Sequence, residues 1–285
     1  MTGAPWMTML WLVPLAGAAA VLVTPRSALA KWLGLFASLA VLATASAVAV
    51  QFDAAGERYQ FVEHHSWIPA FGAGYTVGVD GIALVLVVLT AVLVPILIVA
   101  GWNDASGRAV AVHTYVALVL AVESLVMLSF VALDVLLFYV VFEATLIPLY
   151  FLVGRYGGEQ RSKAAMKFLL YNLFGGLIML ASVIGLYVVS SGTRGGTLDF
   201  RSLSAITADI GPAIQGALFL GFMIAFAIKA PLWPFHTWLP GVATSAKPAT
   251  AVLMMAIVDK VGTFGMLRYC LQLFPDASTY FRPLI

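Results

Sequence analysis

Charged residues are scarce in this 285-residue sequence. Lysine, arginine, aspartate and glutamate together make up 10% of it, whereas a soluble domain carries about 25%. Because 62% of the residues are hydrophobic and the mean hydropathy is +1.01, a soluble fold could not keep this much apolar surface from water. Several apolar runs reach roughly 18 residues, the length of a spanning helix. The sequence predicts an all-α, polytopic transmembrane helix bundle.

Cysteine is nearly absent as well, since Cys270 is the only one. A single cysteine excludes an internal disulfide and a cysteine-ligated iron–sulfur cluster. The four histidines are not at metal-ligand spacing, and no glycine-rich phosphate motif is present. A net charge of +2 suggests no nucleic-acid partner. We therefore expect no cofactor, metal or nucleic acid on this chain, and a lipid bilayer around it.

The apolar runs predict eight spanning helices. A polar loop is expected between the second and third, and a turn or short hairpin over 191–204. Lysine and arginine are more frequent in the loops of one side, which favours an N-terminus outside the membrane. The predicted helices lie at roughly 6–23, 31–51, 79–101, 111–131, 134–154, 163–190, 212–239 and 248–273.

The seventh predicted helix is discontinuous. Lys229 ends its apolar run, and Pro231 and Pro234 follow, each without a backbone donor. Lipid cannot satisfy the freed carbonyls, so the break must face protein or an aqueous cavity. In transporters, broken helices often mark the ion pathway.

Ionisable residues inside the apolar runs are the candidate site, because each costs about 2.5–3.5 kcal/mol at the bilayer centre. Glu143 lies midway along the fifth helix, just before a kink expected at Pro148. Lys229 is its natural partner. Burial disfavours both charges and a close pair favours them, so separating the partners would release a proton. The alternatives are a structural ion pair and a lysine that snorkels to the interface.

Further candidates lie on other helices. Lys260 is near the middle of the eighth helix and could carry a proton beyond Lys229. Its neighbour Asp259 points about 100° away and can serve another face; a local charge pair is the alternative. Glu123 in the fourth helix is equally compatible with an interhelical hydrogen bond. His236, after the break, could relay protons or simply be a satisfied polar group.

Several motifs resemble those of the subunit M family of bacterial NADH–quinone oxidoreductase, homologous to chain 4 of mitochondrial complex I. The resemblance begins near residue 75, and the string around Glu143 favours subunit M over the sister subunits L and N. The motifs are Val77-Gly-Val-Asp-Gly-Ile-Ala, Phe142-Glu-Ala-Thr-Leu-Ile-Pro-Leu-Tyr-Phe-Leu, Lys167-Phe-Leu-Leu-Tyr, Lys229-Ala-Pro-Leu-Trp-Pro-Phe-His-Thr-Trp-Leu-Pro and Asp259-Lys-Val-Gly-Thr-Phe-Gly-Met-Leu-Arg.

This resemblance implies an antiporter-like subunit of an H⁺-translocating NADH:quinone reductase in the bacterial inner membrane. Glu143, Lys229 and Lys260 match the family's input half of a proton path. The family's subunit holds no redox centre, so FMN, iron–sulfur clusters and quinone are expected in partner subunits. Its expected neighbours are the other membrane subunits, especially L and N.

Two departures from the family pattern matter. Pro240-Gly-Val-Ala replaces the family's Pro-Asp-Ala-His, so the relay histidine expected near 243 is absent. The family also continues into a second, inverted repeat, which is not present here. We therefore divide the chain into helices 1–3 with an outer loop (1–110) and one antiporter-like repeat (111–285). Either the sequence is partial, or this chain needs other chains to complete a channel.

Two other functions are compatible with the same charges. One is a subunit of a multisubunit cation/proton antiporter, which would purify without NADH-oxidising subunits. The other is a membrane scaffold with no ion path, in which neutralising the buried charges would affect assembly only.

Overall fold

A computed structural model describes residues 4–24, 26–105, 112–207 and 210–282 of the chain. These residues form a helical bundle with one β-hairpin. The two strands are β1 (Gln60–Ile68) and β2 (Ala73–Val79). The helices are α1 (Trp6–Leu22), α2 (Ser27–Gln51), α3 (Gly81–Ala100), α4 (Val112–Val131), α5 (Val135–Ala144), α6 (Leu146–Tyr156), α7 (Arg161–Arg194), α8 (Phe200–Thr207), α9 (Pro212–Lys229), α10 (Leu239–Ser245), α11 (Pro248–Leu273) and α12 (Pro275–Tyr280).

The predicted transmembrane bundle is confirmed. Seven helical segments in the described part of the chain are long and apolar enough to cross a membrane, with α5 and α6 together forming one of them. The 17-residue α1 is a shorter apolar helix and corresponds to the first predicted span. The predicted division at 110/111 lies outside the described residues, and the two-part organisation stays a prediction.

Helix α4 lies at the centre of the bundle. In an apolar stretch of 18 residues of α4, 78% of the residues are buried, whereas 28% are buried in the corresponding stretch of α2. Small residues allow the surrounding helices to approach closely: a Cβ atom at Gly34 of α2 would overlap Val116 of α4, and one at Gly17 of α1 would overlap Ala37. Such close backbone approach is a common way of packing helices in lipid, where no hydrophobic force draws them together.

The region expected as a polar loop is an antiparallel hairpin of β1 and β2. Glu63 in β1 reaches the start of α1, where its Oε1 accepts a hydrogen bond from the Met7 N–H at 2.8 Å. A carboxylate at a helix N-terminus satisfies free N–H groups and opposes the helix dipole. In β2, the Thr76 carbonyl accepts from the Leu133 N–H at 2.8 Å. The hairpin therefore joins the N-terminal end of the bundle to the α4–α5 turn.

The turn or short hairpin predicted over 191–204 is confined to residues 195–199 and is not a hairpin. Helix α7 continues to Arg194, and the chain re-enters a helix at Phe200. Between these helices the backbone runs past the hairpin side of the bundle, where Asp199 pairs with Asp134 as an isolated β-bridge. The glycines that suggested a hairpin are used instead to end α7, since Gly195 has a φ of 83°.

A buried ion pair holds three helices together near the hairpin. Arg268 of α11 is 1% exposed, and its Nη2 lies 2.7 Å from Oδ1 of Asp80. The same oxygen caps α3 by accepting from the Ala83 N–H. Nη1 of Arg268 donates to the carbonyl of Ala132, beyond the end of α4, at 3.3 Å. The pair therefore fixes α11 against the start of α3 and the end of α4.

Asp134, in the turn between α4 and α5, is fully buried. Its two oxygens accept from the N–H groups of Leu137, in the first turn of α5, and of Gly74 in the hairpin, both at 3.0 Å. Burial raises the pKa of this carboxyl to about 6, against the opposing effect of the backbone N–H groups of Gly74, Leu137 and Leu136; the charge of Asp199 adds to the increase. One side chain thus anchors α5 to the hairpin.

Removing Arg268 should destabilise the fold strongly, because Asp80 would be left as an uncompensated buried charge. We expect Arg268→Met to cost about 3–5 kcal/mol and to lower the thermal midpoint of the purified protein in detergent. The double variant Asp80→Asn with Arg268→Met removes both charges and should recover most of the midpoint. A double variant as unstable as the single one would contradict the ion-pair explanation.

The pKa of Asp134 predicts a pH dependence of stability. At pH 4–6 the folded state binds this proton while the unfolded state, with a pKa near 3.9, releases it. The contribution of Asp134 to the free energy of unfolding therefore falls by up to about 2–3 kcal/mol as pH rises from 4 to 6, and is level above. Thermal midpoints of wild type and Asp134→Asn, measured across this range, should diverge; parallel curves would contradict the assignment.

Candidate functional site

The fifth predicted span bends just after Glu143. Helix α5 ends at Ala144 and α6 begins at Leu146, so Thr145 lies at the junction. Pro148 lacks the N–H that would have bonded the Ala144 carbonyl, which explains why the helix is interrupted here. Thr145 is fully buried, and its hydroxyl donates to the Phe142 carbonyl at 2.7 Å. The expected kink is present, and it places a hydroxyl beside freed backbone groups.

The predicted break in the seventh span is also present. Helix α9 ends at Lys229, and the chain continues through a short 3₁₀ segment (Phe235–Trp238) into α10. The buried Trp238 satisfies one freed carbonyl, since its Nε1 donates to the oxygen of Ile228 at 2.9 Å. The Leu232 N–H donates to a second freed carbonyl, that of Ala227. The break is therefore closed by protein groups, as a membrane setting requires.

Lys229 is buried at this break, with 1% of its surface exposed. Its Nζ donates to Oγ1 of Thr145 at 2.9 Å and lies 3.5 Å from the Phe142 carbonyl. The Phe142 ring faces the ammonium, with its centroid 4.6 Å from Nζ, a cation–π distance. The lysine thus points into the bend between α5 and α6, and the alternative in which it snorkels to the interface is wrong.

Glu143 lies near Lys229 without touching it. No ion pair within 4.0 Å joins them, although each is within electrostatic range of the other. The Glu143 carboxylate lies against Gly176 of α7, where a Cβ atom would overlap it. Its Oε1 is buried and has no hydrogen-bond partner in the described part of the chain. The structural ion pair offered as an alternative for Glu143 is therefore not formed.

Asp259 and Lys260 of α11 face different surroundings, as the angular offset between helical neighbours requires. Asp259 is 9% exposed and within electrostatic range of its neighbour Lys260 and of Lys229. Helix α11 approaches closely here, because a Cβ atom on Gly262 would lie 3.1 Å from the Lys229 Cβ. Lys260 is exposed and lines an apolar groove of about 350 Å³ shared with Val85 of α3.

Lys260, predicted to carry a proton beyond Lys229, is therefore not buried beside Glu143 and Lys229 in this chain. The buried acid beside Lys229 on α11 is Asp259, and Lys260 opens onto the groove behind it. The physical reason is the helical period: one residue of offset turns a side chain by about 100°, away from the face that packs on α9.

Glu123 and His236 are separate from this cluster. Glu123 is fully buried in α4, and neither carboxylate oxygen has a hydrogen-bond partner within the described ranges. The interhelical hydrogen bond offered as its alternative is not formed, and burial without a partner is costly. His236 is exposed on the 3₁₀ segment after the break.

Two residues of the site were missed by sequence reasoning. Thr145 holds the ammonium of Lys229, and Gly176 makes room for the Glu143 carboxylate. Thr145 had a signal, since a hydroxyl just before a kinking proline can bond to freed backbone groups. Gly176 had none, because a glycine within a long apolar helix is compatible with many packing arrangements.

Residues 132–285 match the membrane-domain family described as "NADH:quinone oxidoreductase/Mrp antiporter, TM". The whole chain is similar to NADH-quinone oxidoreductase subunit M of Mycobacterium tuberculosis, with 60% identity over 318 aligned residues, and it covers 58% of that protein. The chain thus spans little more than half the length of this relative.

Two solved structures share the fold. A chain in "Respiratory complex I from Thermus thermophilus with bound NADH" has a TM-score of 0.82 and 29% identity, over 98% of this chain and 55% of that one. A chain of the Mrp complex from Dietzia sp. DQ12-45-1b has a TM-score of 0.76 over 96% of this chain and 29% of that one. Its 22% identity shows the fold alone.

The contact between Gly176 and Glu143 gives a test of the site's geometry. Gly176→Ala should displace the carboxylate from α7 and reduce any transport that depends on Glu143, because the added Cβ occupies the carboxylate's position. The matched control is Gly192→Ala on the same helix, where a Cβ meets nothing within 4 Å. Transport rates in vesicles at equal protein content measure the effect; equal rates for both variants would contradict the arrangement.

Proposed function

Because this chain belongs to the NADH:quinone oxidoreductase/Mrp antiporter membrane family, we propose that it moves protons across the membrane as a membrane-arm subunit of NADH–quinone oxidoreductase. The identity to a subunit M and the similarity to a complex I chain support this assignment. Electron transfer from NADH to quinone then takes place in other subunits, which hold the FMN and iron–sulfur clusters. This chain contributes the proton path in the bacterial inner membrane, beside subunits L and N.

The observation that carries the proposal is the environment of Lys229. Its ammonium is buried at a helix break and bonded to the neutral Thr145 hydroxyl, with Glu143 and Asp259 within electrostatic range. When a buried ammonium is held by a neutral group and has no direct ion pair, a change in a nearby charge alters its proton affinity, so the amine can release a proton and take one up again. Broken helices at such sites are a recurrent feature of ion transporters.

The proposed cycle moves one proton through this pair. Glu143 takes up a proton, and its charge no longer stabilises the Lys229 ammonium. Lys229 then releases its own proton along α11, past Asp259, toward Lys260. Transfer of the proton from Glu143 to the neutral Lys229 restores the starting state. Electron transfer elsewhere in the complex would drive these steps through charge and conformation.

Replacing Glu143 by Gln tests the cycle, because the amide cannot take up or release this proton. In the intact complex, reconstituted in vesicles, we expect Glu143→Gln to abolish or strongly reduce NADH-driven acidification at equal complex content. The control is Glu159→Gln, the same change on an exposed turn. Undiminished pumping by Glu143→Gln would contradict the proposal, and reduced assembly with normal pumping per complex would favour a scaffold.

A subunit of a multisubunit cation/proton antiporter is the second candidate. The shared family and the fold likeness to an Mrp complex chain favour it. The two candidates differ in their partners. Purification of the tagged chain from its native membrane should recover NADH-oxidising subunits in the first case and none in the second.

A further inference from the structure

Lys167, near the start of α7, directs its side chain at one backbone atom of the broken segment. Its Nζ donates to the carbonyl oxygen of Thr237 at 2.6 Å. Pro240, three residues further on, has no N–H and cannot supply a 3₁₀-type donor to this oxygen. A charged donor forms a hydrogen bond about twice as strong as a neutral one. The lysine therefore supplies a partner to a carbonyl where the helical pattern is broken.

Tyr171 binds the side chain of Thr237, the residue whose carbonyl Lys167 contacts. The Thr237 hydroxyl donates to the Tyr171 oxygen at 2.8 Å, and the Lys167 ammonium lies 5.6 Å from the Tyr171 ring centroid. Lys167 and Tyr171 are four residues apart, so they project from the same face of α7. Two polar contacts from one helix face thus fix both the backbone and the side chain of Thr237.

The position of Thr237 is transmitted to Lys229 through the next residue. Trp238 is buried, its ring packs against Phe168 with centroids 5.2 Å apart, and its Nε1 donates to the Ile228 carbonyl. Ile228 directly precedes Lys229. A shift of the 3₁₀ segment would therefore move the end of α9 and change how the Lys229 ammonium meets Thr145.

We infer that Lys167 and Tyr171 are positioning residues for the proton path: they clamp the broken segment and so keep Lys229 on the Thr145 hydroxyl. The same helix seats the Glu143 carboxylate on Gly176. Helix α7 thus sets the positions of both members of the Glu143–Lys229 pair. Gly176, which has no side chain, leaves room for the Glu143 carboxylate, and the clamp holds Lys229 in place. This inference rests on the proposed function of that pair.

The test uses the intact complex in vesicles and compares Lys167→Met, Lys167→Arg and Tyr171→Phe with wild type. Lys167→Met keeps an unbranched side chain one heavy atom shorter and removes the donor, and we expect a severalfold loss of protons pumped per NADH together with a shifted pH profile. Lys167→Arg keeps a cationic donor and should restore both. Tyr171→Phe should shift the profile in the same direction by a smaller amount.

The matched control is Lys163→Met, the same change one turn earlier on an exposed position of α7. It should leave pumping and the pH profile unchanged. Hydrogen–deuterium exchange of residues 230–246 in the complex gives a readout independent of transport. It should increase in Lys167→Met and remain at the wild-type level in Lys163→Met.

Wild-type pumping and exchange in Lys167→Met would overturn the inference, as would a Lys167→Arg variant with the same defect as Lys167→Met. Glu143→Gln, measured in parallel, separates the two claims. If Glu143→Gln stops pumping and Lys167→Met does not, only the clamp is wrong. If Glu143→Gln pumps normally, the proposed proton path is wrong, while the exchange result still decides whether Lys167 clamps the segment.

Discussion

The burial of the Lys229 ammonium at a helix break is the constraint on which the rest of the site depends. A cation in an apolar bundle needs partners, and a broken helix exposes carbonyls that lipid cannot satisfy. Both needs are met by protein groups. Thr145 takes the ammonium, and Trp238 bonds the Ile228 carbonyl beside it. The break in α9 and the bend between α5 and α6 are thus two halves of one arrangement.

The two ends of the bundle are built differently. At the hairpin end, polar groups are tied together: Asp80 with Arg268, and Asp134 with the backbone of Gly74 and Leu137. These contacts cap the starts of α3 and α5 and hold α11 against the start of α3. In the interior, Glu143 Oε1, near Lys229, has no hydrogen bond within the described ranges. The polar groups at the hairpin end are therefore bonded to one another, whereas a buried carboxylate oxygen in the interior is not.

Much of this site follows from sequence. A charge within an apolar run identifies Glu143 and Lys229, and the prolines at 148, 231 and 234 locate both interruptions. The hairpin was missed because β1 carries exposed polar residues and no clean alternation, which is equally typical of a loop. The buried ion pair of Arg268 was also missed, because its partner Asp80 lies far away in the chain and only packing brings them together.

The sequence by itself determined that this is a helical membrane protein, which helices are interrupted, and which ionisable residues are placed in apolar surroundings. Apolar runs and prolines act on the chain locally, so the order of residues alone is enough to locate these features. Only the tertiary structure decided which groups meet: that Lys229 rests on Thr145 instead of Glu143, that Asp259 faces it while Lys260 does not, and that Gly176 seats the carboxylate. These contacts depend on how each helix is rotated about its axis and how far it is shifted along its neighbours. Contacts between side chains that are distant in sequence set both the rotation and the shift.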